Sequence, residues 1–236
     1  MQKKIVFNAL KKAFPYTIPI LTGFLFLGFT YGLYAKTQGL SFWYPVAMAI
    51  FIFGGSLEFI AVTMLFVPFN PFQALLITIM VQARHLFYGI SMLEKYRNLG
   101  FKKKLYSIYA LCDETFSINY TVSVPKDIDK GWFYFWVSFL DQFYWVLGTV
   151  LGGLFGSFVH FNTKGLDFVL TAMFTVIFVD RLIKEKKHYT ALIGFFCTFL
   201  CLLIFGKDSF MIPSMVLILA LLTVFRKPLE KYGELE

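Results

Sequence analysis

Arg84 and His85 stand side by side near the end of an apolar run that begins at about Pro71, within the stretch Val81-Gln82-Ala83-Arg84-His85-Leu86-Phe87-Tyr88-Gly89. A cation at the midplane of a bilayer costs from about 3 to more than 10 kcal/mol, so ionisable residues in such runs face a partner or a cavity. Acids that can answer the arginine stand in other apolar stretches: Glu58, Asp113, Glu114, Asp141 and Asp167. A guanidinium offers a planar fork of donors that fits a carboxylate, whether it belongs to Asp113, to Glu114 or to a bound solute. An unperturbed histidine titrates near neutral pH, and a desolvated carboxylate without a full partner tends to take up a proton. One cation, several acids and aromatic walls together fit a small zwitterion of the amino-acid kind. Arg84, His85, Glu58, Ser56 and Gln82 are the candidate solute contacts, and Asp113, Glu114, Asp141 and Asp167 the candidates for proton or ion coupling. The opposing reading is a set of buried ion pairs that only fix helix register.

The surrounding chain has the composition of a membrane protein. It is 58% hydrophobic and 20% aromatic, with 15% charged residues and a mean hydropathy of +0.68; soluble domains carry about 25% charged residues. Charge-free runs recur at 13–35, 37–57, 59–83, 142–163 and 188–206. About 20 apolar residues span the hydrocarbon, so the expectation is an all-α polytopic integral membrane protein of about seven to eight hydrophobic helical segments. It is read as a single transmembrane domain over 1–236. The net charge of +8 does not point to nucleic acid, because the basic residues gather at 3–12, 95–104, 181–187 and 226–231, between apolar runs, as in cytoplasmic loops. Cys112, Cys197 and Cys201 lie in apolar stretches and imply no disulfide framework.

Taken in order, a first helix is expected from about Phe14, with Pro15 and Pro19 in its opening turns, where proline is tolerated. Gly28 and Gly32 form a small-xxx-small pair that admits a close neighbour. A second segment, 42–66, is interrupted by Gly54-Gly55-Ser56 just before Glu58, the mark of a broken helix lining a polar cavity. The third, 72–92, carries Arg84-His85, and 105–122 carries Asp113-Glu114 near its middle. A long aromatic segment at 131–158 contains Asp141-Gln142, and Gly148, Gly152 and Gly156 make a backbone-contact seam along it. Further helices are expected at 165–183, 188–205 and 210–225, the last two joined by a turn at 206–209. A weak internal duplication relates 14–122 to 131–225.

The basic loops conflict with simple counting. Eight full crossings that keep the N-terminus inside place the five basic residues of 95–104 outside, against the positive-inside tendency. The conflict disappears if at least two segments are partial or re-entrant, most naturally 42–66 and 105–122.

No enzyme constellation stands out. His160 and His188 have no ligand-spaced partners, and no H-E-x-x-H, P-loop or nucleophile elbow occurs. Neither metal nor cofactor is implied, and the chain is read as a non-enzyme. A non-transporting scaffold, whose buried charges grip a partner, is the alternative.

Gly54-Gly55-Ser56-Leu57-Glu58-Phe59, Gln82-Ala83-Arg84-His85-Leu86-Phe87-Tyr88-Gly89 and Cys112-Asp113-Glu114-Thr115-Phe116, followed by Asp141…Trp145…Gly148 and Leu166-Asp167-Phe168, resemble the AzlC family of branched-chain amino acid permeases. The likeness covers about Phe14 to Phe205. It implies a multi-pass protein of a prokaryotic cytoplasmic membrane that exports branched-chain amino acids. It also implies coupling to an ion gradient and a small AzlD-type membrane subunit as partner. By motif position it carries site roles to Arg84, His85, Asp113, Glu114 and Glu58.

Overall fold

The structure, a computed structural model, describes residues 2–158 and 188–225, with Thr175, Phe178, Val179, Leu182 and Ile183 between them. Asp167 and most of the helix expected at 165–183 lie outside the described residues. All regular elements among the described residues are helices, and the chain divides into two compact units, Met1–Leu170 and Thr171–Glu236. Among the described residues three helices are long and apolar enough to cross a membrane: Lys3–Thr37, Pro71–Tyr96 and Tyr189–Gly206.

In the first unit, α1 (Gln2–Thr37) begins well before Phe14 and carries Pro15 and Pro19 inside it, correcting the expected start. Packing overrides the proline penalty: Ala9 and Ala13 are fully buried, and Trp136 Nε1 donates to Val6 O at 3.1 Å. The expected segment 42–66 is two short helices, α2 (Trp43–Phe51) and α3 (Ser56–Met64). Between them Phe53 and Gly55 take positive φ values of 44° and 46°, a conformation that costs glycine little and reverses the chain. Asn70 caps α4 (Pro71–Tyr96), its Oδ1 accepting from Phe72 N and Gln73 N at 3.1 Å, with proline at the first helical position. The segment expected at 105–122 is likewise α5 (Phe101–Tyr109) and α6 (Asp113–Thr121), with Cys112 extended between them. Last comes α7 (Lys130–Phe158), capped by Asp129, whose Oδ1 accepts from Trp132 N at 2.7 Å.

Partner residues along α1 and α7 rise together: Val6 with Trp136, Thr17 with Tyr144, and Gly28 with Gly148. The two helices are therefore parallel. They touch through their glycines. A Cβ on Gly28 would sit 2.6 Å from Trp145 O, one on Gly148 2.7 Å from Leu25 O, and those on Gly32 and Gly152 would collide with Thr149 O and Phe29 O.

By their partners, α2–α3 and α5–α6 are two helical hairpins, each turning back beside the middle of α7. Helix α2 starts near the C-terminal end of α7, where Phe42 meets Gly153, and reaches the middle of α7 at Ile50, whose O accepts from Gln142 Nε2 at 3.0 Å. Helix α3 then returns, Phe59 packing on Tyr31 and Tyr34 near the far end of α1. Helix α4 crosses the other way and ends where Lys95 Nζ donates to Asn119 O and Tyr120 O at the end of α6. Helix α5 leaves that same end, where Lys103 pairs with Asp129 at 3.2 Å, and climbs to Tyr109, which donates to Ile50 O. Helix α6 descends again. In this unit α1, α4, α7 and the two hairpins thus place the start of α1, residues 95–104 and the start of α7 at one end.

The second unit, described by itself, pairs α8 (Tyr189–Ser209) with α9 (Met211–Val224). Cys197, Cys201 and Ser214 are buried. The turn expected at 206–209 reduces to one non-helical residue, Gly206 (φ 72°, ψ 177°), followed by further helix.

The glycine seam gives a paired test inside one helix. Gly32→Ala must displace α7 backbone and should lower stability by roughly 1–3 kcal/mol, whereas Gly23→Ala, which meets nothing within 4 Å, should be neutral or gain up to about 1 kcal/mol. Thermal unfolding of the two variants in detergent separates them.

Candidate functional site

The tips of the two hairpins meet halfway along α4 and α7. A broken helix leaves backbone donors and acceptors that no water satisfies inside a bilayer, and one stretch of α7 supplies partners for both tips. Gln142 donates to Ile50 O at 3.0 Å and to Tyr109 Oη at 3.3 Å, and accepts from Tyr106 Oη. One turn on, Trp145 Nε1 donates to both carboxylate oxygens of Glu58 at 3.1 Å. Glu58 lies in the first turn of α3 and is fully buried; its Oε1 also accepts from Gly54 N at 3.0 Å and Gly55 N at 3.3 Å. A carboxylate there answers both the free N–H groups and the positive end of the helix dipole. From the opposite side, Gln82 Nε2 donates to Gly54 O at 2.8 Å. Glu58 and Gln82 therefore both hold the first tip together. Ser56, buried at the start of α3, lies beside them.

Arg84 stands at the centre of α4 and reaches the second tip. Its Nη1 lies 3.0 Å from Asp113 Oδ2, with side-chain exposures of 36% and 16%, so neither group is fully shut away. Asp113 is the first residue of α6, where the dipole favours a negative charge. The pair is only half used: Arg84 Nε, Asp113 Oδ1 and the neighbouring His85 Nδ1 are buried polar atoms without a hydrogen-bond partner among the described residues. Glu114 lies within the fields of Asp113 and Arg84. Tyr88 packs edge-on to His85 at 5.6 Å and stacks on Phe116 at 4.4 Å, giving this side an aromatic wall. Asp141, on α7, has no exposed surface; its Oδ2 accepts from Thr115 Oγ1 at 2.9 Å, and its Oδ1 has no partner among the described residues.

The structure thus brings Arg84 to Asp113, Gln82 and Glu58 to the first tip, and Asp141 to α6 through Thr115. Sequence reasoning missed the roles of Thr115, Tyr106, Tyr109 and Gln142. Reading 105–122 as one helix hides this contact; α6 starts at Asp113 and sets Thr115 against Asp141 of α7. Polar residues flanking an interrupted apolar segment were the available signal for Tyr106 and Tyr109.

Half-helices that meet around buried charges, beside helices long and apolar enough to cross a bilayer, define an α-helical membrane protein. A family model described as AzlC protein matches residues 19–159, which run from within α1 to the end of α7 and contain both hairpins. The chain is similar to the "Branched-chain amino acid transport protein AzlC" of Bacillus subtilis strain 168, 57% identical over 226 residues, 96% of this chain and 89% of that protein. It is 48% identical to an uncharacterized membrane protein of Haemophilus influenzae over 92% of this chain and 89% of the relative. To the inner membrane protein YgaZ of Escherichia coli K12 it is 25% identical, over 75% and 73%. No solved structure matches it. The chain belongs to the AzlC family.

The indole at position 145 gives a direct test of the first tip. Trp145→Phe removes the donor shared by both oxygens of Glu58 and should cost about 1–3 kcal/mol, read as a lower unfolding midpoint in detergent. An unchanged midpoint would mean the indole bond adds nothing to the tip.

Proposed function

We propose that the protein is a secondary transporter that exports branched-chain amino acids across the cytoplasmic membrane. In this reading it draws on an ion gradient and works with a small AzlD-type membrane subunit. The printed name of the Bacillus subtilis relative supports the substrate class. The observation that carries the reading is the Arg84–Asp113 pair at the second tip, each partner with a buried polar atom that has no hydrogen-bond partner among the described residues.

A carboxylate and an ammonium on one carbon match that pair. The solute's carboxylate takes the guanidinium fork and its ammonium takes Asp113, so the solute exchanges one ion pair for two. An amine or a fatty acid of the same shape satisfies one group and strands the other, and stranding a buried charge is the larger penalty. The aromatic wall of Tyr88 and Phe116 suits an apolar side chain. By the positive-inside tendency, the end bearing 95–104 and the start of α1 faces the cytoplasm, and the α2–α3 hairpin enters from the opposite side.

Counterflow of labelled leucine in proteoliposomes tests the site. Unlabelled leucine and valine should compete, and isoamylamine and isocaproate should compete about tenfold or more less well. Arg84→Ala should abolish flux; flux equal to wild type would remove the arginine from solute binding. Orientation has its own check in a cysteine-free background. Asn98→Cys and Asp127→Cys should react with a membrane-impermeant maleimide only after permeabilisation, and Phe69→Cys should react in intact cells.

A further inference from the structure

Two acids of the site differ in one respect that the solute reading leaves unused. Asp113 has a cation. Asp141 has none: among the described residues no Lys, Arg or His forms an ion pair with it. It is nevertheless more deeply buried than Asp113, with no exposed surface. Among the described residues the titratable groups that act on it are Glu114 and Cys112 on α6 and Tyr144 on its own helix, none of them a cation. Thr115 donates to one oxygen, at 2.9 Å, and the second oxygen is buried without a partner among the described residues.

We infer that Asp141, held by Thr115 between α6 and α7, is the seat of the proton whose movement drives the solute. The inference rests on the transporter reading and assigns its coupling site. A carboxylate with no counter-charge in a dry site is tolerated when it exchanges a proton instead of holding a permanent charge. In the step, hydronium on one side gives its proton to Oδ1, the oxygen that Thr115 leaves free, and departs as water; on release that O–H bond breaks and water on the other side takes the proton. A metal cation fits less well. Hard cations gather about six oxygen ligands, whereas here one carboxylate and one hydroxyl meet, and the hydroxyl hydrogen is already directed at the carboxylate. Because Asp113 and Thr115 are two residues apart on α6, the half-helix that receives the solute's ammonium also grips the proton site. Solute and proton therefore report to one half-helix, an arrangement that lets the two sites bias a common element.

The experiment uses the full chain with its small partner subunit in proteoliposomes loaded with a pH-sensitive dye. Wild type should show leucine counterflow without a gradient, and leucine accumulation with proton movement when a pH gradient is imposed. Asp141→Asn, which fixes a neutral side chain able to accept from Thr115, should keep counterflow and lose both accumulation and proton movement. Thr115→Val keeps the acid and should shift the pH profile of driven flux without abolishing counterflow; if the asparagine variant does not fold, this variant decides. Driven accumulation by Asp141→Asn, loss of its counterflow in folded protein, an unshifted profile for Thr115→Val, or accumulation that follows a sodium gradient would each overturn the inference. Absence of counterflow in wild type would instead remove the transporter reading on which it stands.

Discussion

Interrupting a helix inside a bilayer frees backbone groups in a medium that offers them nothing, at several kcal/mol for each group left bare. This chain interrupts two, and the architecture follows from how the freed groups are matched. Four half-helix ends converge on one level beside a single turn of α7: Gln142 meets the backbone at the end of α2 and the Tyr109 hydroxyl at the end of α5, and Trp145, through Glu58, serves the start of α3. Asp141, through Thr115, reaches the start of α6. For that turn to lie at the right level, α7 must be held rigidly, and the close glycine contact with α1 holds it. The polar centre and the glycine seam are thus two parts of one solution, and neither makes sense alone.

The charges sort by the kind of partner each receives. Glu58 has backbone amides and an indole and serves as an internal cap. Asp113 has a guanidinium in direct contact, both partners partly exposed. Asp141 has a hydroxyl and nothing more among the described residues. Three carboxylates that look alike along the chain therefore occupy three different electrostatic situations, set by which helix end or side chain each one meets. Permanence follows in that order: a cap bonded on both oxygens is fixed, an ion pair with spare donors is exchangeable, and an acid without a counter-charge is suited to a mobile ion.

Much of this was legible in the chain. Runs of apolar residues identify the membrane class, Gly54-Gly55 marks the first interruption, and the two segments singled out by the basic clusters are the two that split into paired short helices. The glycines of α1 and of α7 were each readable as contact faces. That they contact each other was not, because residues more than a hundred positions apart carry no shared local pattern. The early start of α1 was hidden by its prolines, whose local cost is outweighed by packing of Ala9 and Ala13. At the site, the residue types were right and the partnerships open: nothing in Arg84's neighbourhood chooses Asp113 over Glu114 until the start of α6 is known.

The parallel seam between the first and last helices of this unit also bears on how the molecule is made. Gly28 and Gly148 leave the ribosome 120 residues apart, so at about 5–20 residues per second α1 waits roughly 6–24 s for its mate. Throughout that interval its notched face is covered only by lipid, or by whatever the insertion machinery offers. The crossing made first is the one completed last, and a nascent chain stalled before α7 emerges would hold two inserted helices and two unanchored hairpin tips, ready substrate for a membrane protease.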